Sequence, residues 1–307
     1  MRLSHAYEAM LFHPKWYHLF PIVILLPLAL IYGTGMWIRR KMAKRKTFGL
    51  PIVSIGNLIV GGSGKTPFAI AIASRYENVA IVSRGYGRQS KGLVEVSRKG
   101  KIAASVAESG DEPMLMAQAL PTASVIVSEK RDVAIALAQR QGATLILLDD
   151  GFNRVEIEKF EILLEPKKCL NVFPFPAGPF REFFFCKGVA DVVAKEGEAF
   201  VRKVEFEMLS ERMMLVSAIA NPERLDPFLP EGVVEKIYLP DHAYFDEVEL
   251  ARRMHLCNAQ SLLVTEKDAV KMAEFKLPLS KMKLKLEIDN RIILKIENYI
   301  EGFNREK

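Results

Sequence analysis

Cysteine is scarce in this sequence. Cys169, Cys186 and Cys257 are the only three in 307 residues, and no two form a C-x-x-C pair. That spacing suggests neither a zinc module nor a disulfide framework, and it suits a reducing cytosolic compartment. No internal repeat and no low-complexity tract interrupts the chain. With 50% hydrophobic and 26% charged residues it has the composition of a folded protein. Its length allows two domains.

Charge is missing altogether from residues 19–38. As a helix that run is roughly 30 Å long, about one hydrocarbon core. Pro21, Pro27, Gly33 and Gly35 weaken a straight span, yet membrane helices tolerate such residues. Tyr32 and Trp37 suit an interfacial belt. A cleaved signal peptide fits poorly, because basic residues follow the run where a small-residue cleavage site belongs. Arg39, Arg40, Lys41, Lys44, Arg45 and Lys46 place six cations in eight residues, within a formal net charge of +6. Such a cluster first suggests nucleic acid. Its place beside an apolar run favours anionic lipid headgroups, so a membrane surface is the expected partner and nucleic acid is not. If the segment spans, Arg39 onward is cytoplasmic. If it lies in one leaflet, the body stays on the same side. A buried helix of a soluble domain is the other reading of this run.

Glycine is concentrated where it carries chemistry. Residues 51–55 read as a strand, and Ile59-Val60-Gly61-Gly62-Ser63-Gly64-Lys65-Thr66 follows, ahead of Pro67. A glycine-rich loop ending in Gly-Lys-Thr between a strand and a helix cradles nucleotide phosphates. Its backbone N–H groups and the helix N-terminus face the anion. The usual G-x-x-x-x-G-K-[ST] pattern has glycine where Ile59 stands. Pro67 suits a helix start, where its missing N–H costs little.

Strand-like and helix-like stretches alternate from residue 50 to about 195. Strands are expected at 51–55, 78–83, 124–128, 144–148, 160–164 and 189–194, and helices at 67–76, 112–120 and 131–141. Residues 92–97 and 101–105 read as a hairpin around Arg98-Lys99-Gly100. This rhythm predicts an α/β fold, a P-loop NTPase-type doubly wound, mostly parallel sheet. From about 200 the texture shifts to a second, smaller α/β domain. Its strands are expected at 204–208, 213–219, 233–239, 262–265 and 283–288, and its helices at 248–255 and 291–299. Three parts are expected: 1–48, a membrane-associating helix with its basic cluster; 49–200, a kinase core; and 201–307, the smaller domain.

Five further motifs carry candidate chemistry. The apolar run 145–148 ends in Asp149-Asp150-Gly151; an acid there holds Mg²⁺ in phosphate-loop enzymes, although a strand-end turn with solvated aspartates has the same pattern. Ser83-Arg84-Gly85-Tyr86-Gly87-Arg88 follows a strand, so Arg84 or Arg88 suits a phosphate, and a glycine-rich surface turn is the alternative. Gly110-Asp111-Glu112-Pro113 precedes a helix. Asp111 is a candidate base for a hydroxyl proton, although the pattern alone favours a helix N-cap. Pro240-Asp241-His242 offers a histidine to orient or tune a carboxylate, or simply a structural histidine. Phe175, Phe180, Phe183, Phe184 and Phe185 surround Arg181. They suit either acyl chains beside a phosphate or ordinary core packing.

In this order the motifs resemble the tetraacyldisaccharide 4'-kinase family of lipid A biosynthesis. The resemblance rests on Gly61 to Pro67, Ser83-Arg84-Gly85-Tyr86-Gly87, Gly110-Asp111-Glu112-Pro113, Asp149-Asp150-Gly151-Phe152 and Gly178-Pro179-Phe180-Arg181-Glu182. It continues through Ala220-Asn221-Pro222, Pro240-Asp241-His242 and Thr265-Glu266-Lys267-Asp268-Ala269-Val270-Lys271. The last stretch is distinctive but has no evident chemical role. The resemblance implies transfer of the γ-phosphate of ATP to the 4'-hydroxyl of an acylated disaccharide 1-phosphate lipid, giving lipid IVA. It implies a base-and-partner pair, Asp111 and His242, with Lys65, Ser63 and Thr66 on the triphosphate. It also implies Mg²⁺ held by Thr66, Glu112 and one or both of Asp149 and Asp150, and Arg181 on phosphate or headgroup. The N-terminal segment then attaches the enzyme to the cytoplasmic face of the bacterial inner membrane, with no obligate protein partner. Two places depart from the family pattern. Asn153-Arg154 stand where Gln-His is common, so no role is carried over there, and Phe180 and the Phe183 after Glu182 replace a leucine and a proline.

A membrane-associated ATPase with a positioning or signalling role is the alternative, since its loop also reads G-G-x-G-K-T. That class carries a lysine before the paired glycines, where this chain has Val60. A non-enzymatic membrane scaffold is a third reading, disfavoured by Lys65, Thr66, Asp149 and Asp150.

Overall fold

A computed structural model describes residues 5–61, 64–219 and 222–305. The chain divides into two compact units, one made of Met1–Lys65, Leu145–Val201 and Ile288–Lys307, the other of Thr66–Thr144 and Arg202–Glu287. Each is a mixed α/β assembly built on parallel strands.

The first unit contains four parallel strands in the order Leu145–Asp149, Ile52–Gly56, Phe160–Glu165 and Val192–Lys195. Ile52–Gly56 and Leu145–Asp149 are buried at every position. Parallel strands covered on both faces need such near-continuous apolar runs, which is why period-two alternation is absent here. The register pairs Ile55 with Asp149. Parallel pairing therefore brings the acidic end of one strand beside the start of the phosphate loop on the next. The helix Asn290–Arg305 buries Ile292, Ile293 and Ile296, and its Tyr299 hydroxyl accepts from the Ile52 N–H at 3.3 Å.

The N-terminal apolar run forms the 24-residue helix Leu19–Met42. The stretch Trp16–Met42 is long and apolar enough to cross a membrane by length and composition. Pro21 sits in the first turn, where no intrahelical donor is needed, and Pro27 is interior. Ile22, Ala29 and Gly33 are its buried positions, while Phe20, Val23, Ile24, Leu28 and Ile31 are exposed. Ile22 and Ala29 pack with Met10 and Leu11 of the helix His5–Phe12 and with Ala177. At Gly33 a Cβ would lie 2.8 Å from the Phe183 ring and 3.0 Å from Pro174, so the helix is seated closely there.

The basic cluster is only partly free for headgroups. Arg40 forms a two-pronged ion pair with Glu182, and Arg39 donates to the Asn153 carbonyl. Asn153 thus meets Arg39 through its backbone, which any residue at that departing position supplies.

The second unit holds strands in the order Lys101–Ile102, Val94–Arg98, Ser124–Val127 and Val79–Ser83. The expected hairpin is present, and Val94–Arg98 also pairs antiparallel with Ser124–Val127. A five-stranded sheet follows the order Val233–Tyr238, Met213–Ser217, Ser261–Thr265, Leu279–Ile288 and Phe200–Glu207. Met213–Ser217 is parallel to both neighbours and wholly buried. Its alternate side chains enter two clusters, Met214 and Val216 in one and Met213 and Leu215 in the other.

Candidate active site

The first unit carries the phosphate loop. Gly61 has φ +95° and Gly64 φ +82°, the left-handed region that a side chain resists, so these positions require glycine. Lys65 opens the helix Lys65–Ala73, two residues ahead of the expected start. Its ammonium donates to Asn57 Oδ1 at 3.1 Å and lies 3.5 Å from Asp150. Asn57, which sequence reasoning missed, is itself fixed by donating to the Ile59 carbonyl at 2.7 Å. The Val60 N–H donates to the Pro179 carbonyl and is committed there. Val60 packs with the apolar cluster around Met10 and Leu11. Ile59 is buried and bridges Phe180. Gly62 and Ser63 lie outside the described residues, as does Asn221.

Asp149 is buried at the end of its strand. Asp150 has φ +52°, an uncommon conformation for a non-glycine residue. That turn aims its carboxylate at cations: both oxygens accept from Arg181 at 3.1 Å. Burial pushes the Asp150 carboxyl up, but Lys65 and Arg181 outweigh it and hold the group below its usual value. Arg181 thus faces an aspartate in this structure. Among the aromatic residues near it, Phe180 is core, whereas Phe184 and Phe185 are exposed.

The second unit gathers the other half of the motifs at strand ends. Met213–Ser217, Val233–Tyr238 and Ser261–Thr265 belong to one run of parallel pairs. Their carboxyl ends lead to Ala218, to Pro240-Asp241-His242 and to Glu266–Lys271. Ligand sites in open α/β sheets form at such ends.

Asp111 opens the helix Asp111–Ala119, and the N-cap is Gly110, not Asp111. Gly110 has φ +89°, and a Cβ there would lie 2.9 Å from the Tyr86 carbonyl. The capping box sits one turn earlier, between Ser105 and Glu108. Asp111 is therefore released from the capping alternative. It is 4% exposed, and its Oδ2 lies 2.9 Å from His242 Nδ1. An ionised carboxylate only accepts, so Nδ1 carries the proton. Lys271 and Lys267 stand 3.5 and 3.6 Å from the same oxygen. Burial raises the Asp111 pKa, but the His242 hydrogen bond and the two lysines outweigh it and bring it down from 3.8 to about 2.

These lysines come from the stretch that had no evident role. Lys267 also reaches Glu112 at 3.2 Å and Asp241 at 3.9 Å. Burial lowers its pKa, yet Glu112, Asp111 and Asp241 raise it above the ordinary lysine value. Lys271 is buried and donates to the Ala243 carbonyl at 3.2 Å. Asp268, fully buried, accepts from Ser217 Oγ, the Ala218 N–H and Thr265 Oγ1. The Ala218 carbonyl in turn accepts the His242 N–H at 3.0 Å. His242 has φ +61°, a strained position that these bonds hold in place. No spacing rule on the sequence links residues 111, 242 and 267 to 271.

The two arginines of the Ser83–Arg88 turn separate. The Arg88 side chain is buried on Glu129 and the Gly92 carbonyl, while Arg84 is exposed. Tyr86, also exposed, has its ring 5.4 Å from the His242 ring. Among the described residues no three His, Cys, Asp or Glu side chains converge as a metal cage. Mg²⁺ commonly takes only one or two carboxylates, with phosphate and water completing the shell.

The family model for tetraacyldisaccharide-1-P 4'-kinase matches residues 22–207 and 194–301. A tetraacyldisaccharide 4'-kinase of Helicobacter acinonychis is 50% identical over 284 residues, 92% of this chain and 90% of that protein. Another from Aliarcobacter butzleri is 42% identical, covering 96% of this chain and 97% of its own. The crystal structure of LpxK from Aquifex aeolicus in complex with ATP aligns with a TM-score of 0.77 at 29% identity, over 92% of this chain and 99% of that one.

Proposed function

The chain belongs to the tetraacyldisaccharide-1-P 4'-kinase family, and we propose that it transfers the γ-phosphate of ATP to the 4'-hydroxyl of a tetraacylated disaccharide 1-phosphate, forming lipid IVA for lipid A biosynthesis. The observation that carries the site reading is Asp111, a buried carboxylate kept ionised by His242, Lys267 and Lys271. Asp111 accepts the hydroxyl proton. A carboxylate with so low a pKa is a weak base, so it takes the proton late, as the new P–O bond acidifies the hydroxyl. His242 keeps one carboxylate oxygen in place through Nδ1–H. Lys271 and Asp268 hold the loop that carries His242. Lys65 and Thr66, with the glycine loop, hold the triphosphate, and Arg84 and Arg181 meet phosphate groups of substrate.

Thr66, Glu112, Asp149 and Asp150 offer hard oxygen donors, which suit Mg²⁺. Both Asp150 oxygens accept from Arg181, and Glu112 pairs with Lys267, so either would exchange a cationic side chain for the metal. When bound, the ion screens the charge between the β- and γ-phosphates. By part, residues 1–48 attach to the membrane, 49–200 bind nucleotide, and 201–307 contribute His242, Lys267 and Lys271.

Membrane attachment is read from the long apolar helix with its exposed face. Protein contacts run along that helix from Ile22 to Arg40. At about 1.5 Å per residue they cover roughly 27 Å, nearly a whole hydrocarbon thickness. We read the helix as lying in one leaflet, its exposed face toward lipid and its other face against the protein. The enzyme then works at the cytoplasmic face of the inner membrane, where ATP and the lipid headgroup meet. Incubation with radiolabelled ATP and the disaccharide 1-phosphate lipid tests the reading: label moves to the lipid. ATP hydrolysis with no labelled lipid would overturn it.

A further inference from the structure

Arg40 stands in the last turn of the apolar helix, and its guanidinium does more than face solvent. Its Nε and Nη2 donate to the two Glu182 oxygens at 2.7 and 2.8 Å. Nη2 also donates to the Phe152 carbonyl at 3.1 Å, and the guanidinium lies 4.2 Å over the Phe152 ring. The Arg40 and Glu182 side chains are 9% and 1% exposed. A pair so desolvated and so forked is costly to break, because either partner alone would be left a buried, unpaired charge, and it fixes direction as well as distance.

The two segments it joins are those of the phosphate site. Glu182 follows Arg181, and Phe152 lies two residues after Asp150. The Arg181 N–H donates to the Leu58 carbonyl at 2.7 Å, which ties the same segment to the start of the phosphate loop. Phe152 also packs on the phosphate-loop strand: a Cβ on Gly56 would lie 2.5 Å from the Phe152 Cβ. A chain of contacts thus runs Arg40, Glu182 with Arg181, Asp150, Lys65.

We infer that Arg40 is a positioning residue for nucleotide binding: by clamping Glu182 and Phe152 it sets the Arg181–Asp150–Lys65 geometry, so seating of the apolar helix organises the phosphate loop. The inference rests on the kinase reading above only for its turnover readout; nucleotide affinity is independent of the lipid. Without the fork and the stack, whether or not residue 182 keeps its charge, the Arg181 and Phe152 segments lose their common anchor, and Arg181 and Asp150 no longer hold Lys65 where a phosphate would meet it.

The test uses the full-length protein with Arg40→Lys and with the double variant Arg40→Met, Glu182→Gln. A lysine keeps the charge but cannot form the fork and the stack together. The double variant leaves no buried charge unpaired, so it folds where Arg40→Met alone risks not folding. Thermal melting, flotation with anionic phospholipid vesicles, binding of a fluorescent ATP analogue and turnover are measured for each. Both variants should float as wild type does, bind the nucleotide about tenfold more weakly and turn over at least as much more slowly. Wild-type nucleotide affinity in both variants would overturn the inference. So would loss of flotation in step with turnover, since Arg40 would then act by anchoring alone. A wild type that labels no lipid sinks the kinase reading, and leaves the nucleotide-binding comparison to decide this one.

Discussion

Replacing Asp111 with asparagine removes the base while keeping its shape. Two magnitudes follow from the surroundings. For catalysis, a positioned base contributes about 10² to 10⁴ in rate, so kcat should fall by that range. Affinity for ATP should hold, because the phosphates are assigned to the glycine loop and Lys65. For stability, the carboxyl is displaced from 3.8 to about 2, which corresponds to about 2 kcal/mol at neutral pH. The folded-state pKa is the depressed one, so this stabilisation is fully present above the unfolded value near 4. It is lost as pH falls through the folded value, leaving about 1 kcal/mol at pH 3 and under half that at pH 2. Asparagine brings no charge to balance the buried Lys271 ammonium, which adds to the loss at neutral pH. Urea unfolding of wild type and Asp111→Asn at pH 7 and pH 3, without added metal, reads the stability term. Single-turnover phosphorylation and nucleotide binding read the catalytic one. A kcat within about threefold of wild type would refute Asp111 as base. A stability difference independent of pH would refute the ionised, lysine-held carboxylate.

Three other outcomes are expected. Lys271→Met should lower kcat by at least about tenfold with little change in ATP affinity, because it loosens Asp111 and the Ala243 carbonyl together; equal losses in both parameters would count against a role confined to the base. Lys65→Met should weaken ATP binding by about 1.5–3 kcal/mol, the worth of a charge-assisted hydrogen bond, and isothermal titration checks it. A charge placed on the exposed face of the apolar helix, Ile24→Glu, should weaken vesicle binding by up to about 3 kcal/mol while the melting temperature stays put; unchanged flotation would mean that this face does not meet lipid.

Most of the secondary structure was legible in the sequence because its signals are local. The strand at 52–56, the glycine loop and the helix after it lie within a few residues of one another. The runs 145–149 and 160–165 read as strands because parallel pairing buries both faces and favours near-continuous apolar residues, with Asp149 and Glu161 as buried exceptions. Most boundaries moved by a residue or two, but the strands expected at 204–208 and 283–288 begin four residues earlier, at Phe200 and Leu279, the closing helix runs on to Arg305, and the helix at 65 began ahead of Pro67. The short helix His5–Phe12 passed unread, having little periodicity in eight residues. The Asp111 pattern illustrates the limit: base and cap share the same local sequence, and only the position of Oδ2 against His242 separates them.

By itself the sequence determined the phosphate loop, the acidic strand end, the apolar segment and the family to which their order belongs. Those depend on neighbours in the chain, whose geometry is set by backbone preference and side-chain periodicity. The tertiary structure alone decided what each charged group faces. His242 meets Asp111 across 131 residues, and Arg40 meets Glu182 across 142. The lysines of 267 and 271 acquired a role only when strand pairing carried them to Asp111. A buried charge must find a partner or lose its ionisation, and which partner it finds is a property of packing in space, with no signature in sequence spacing.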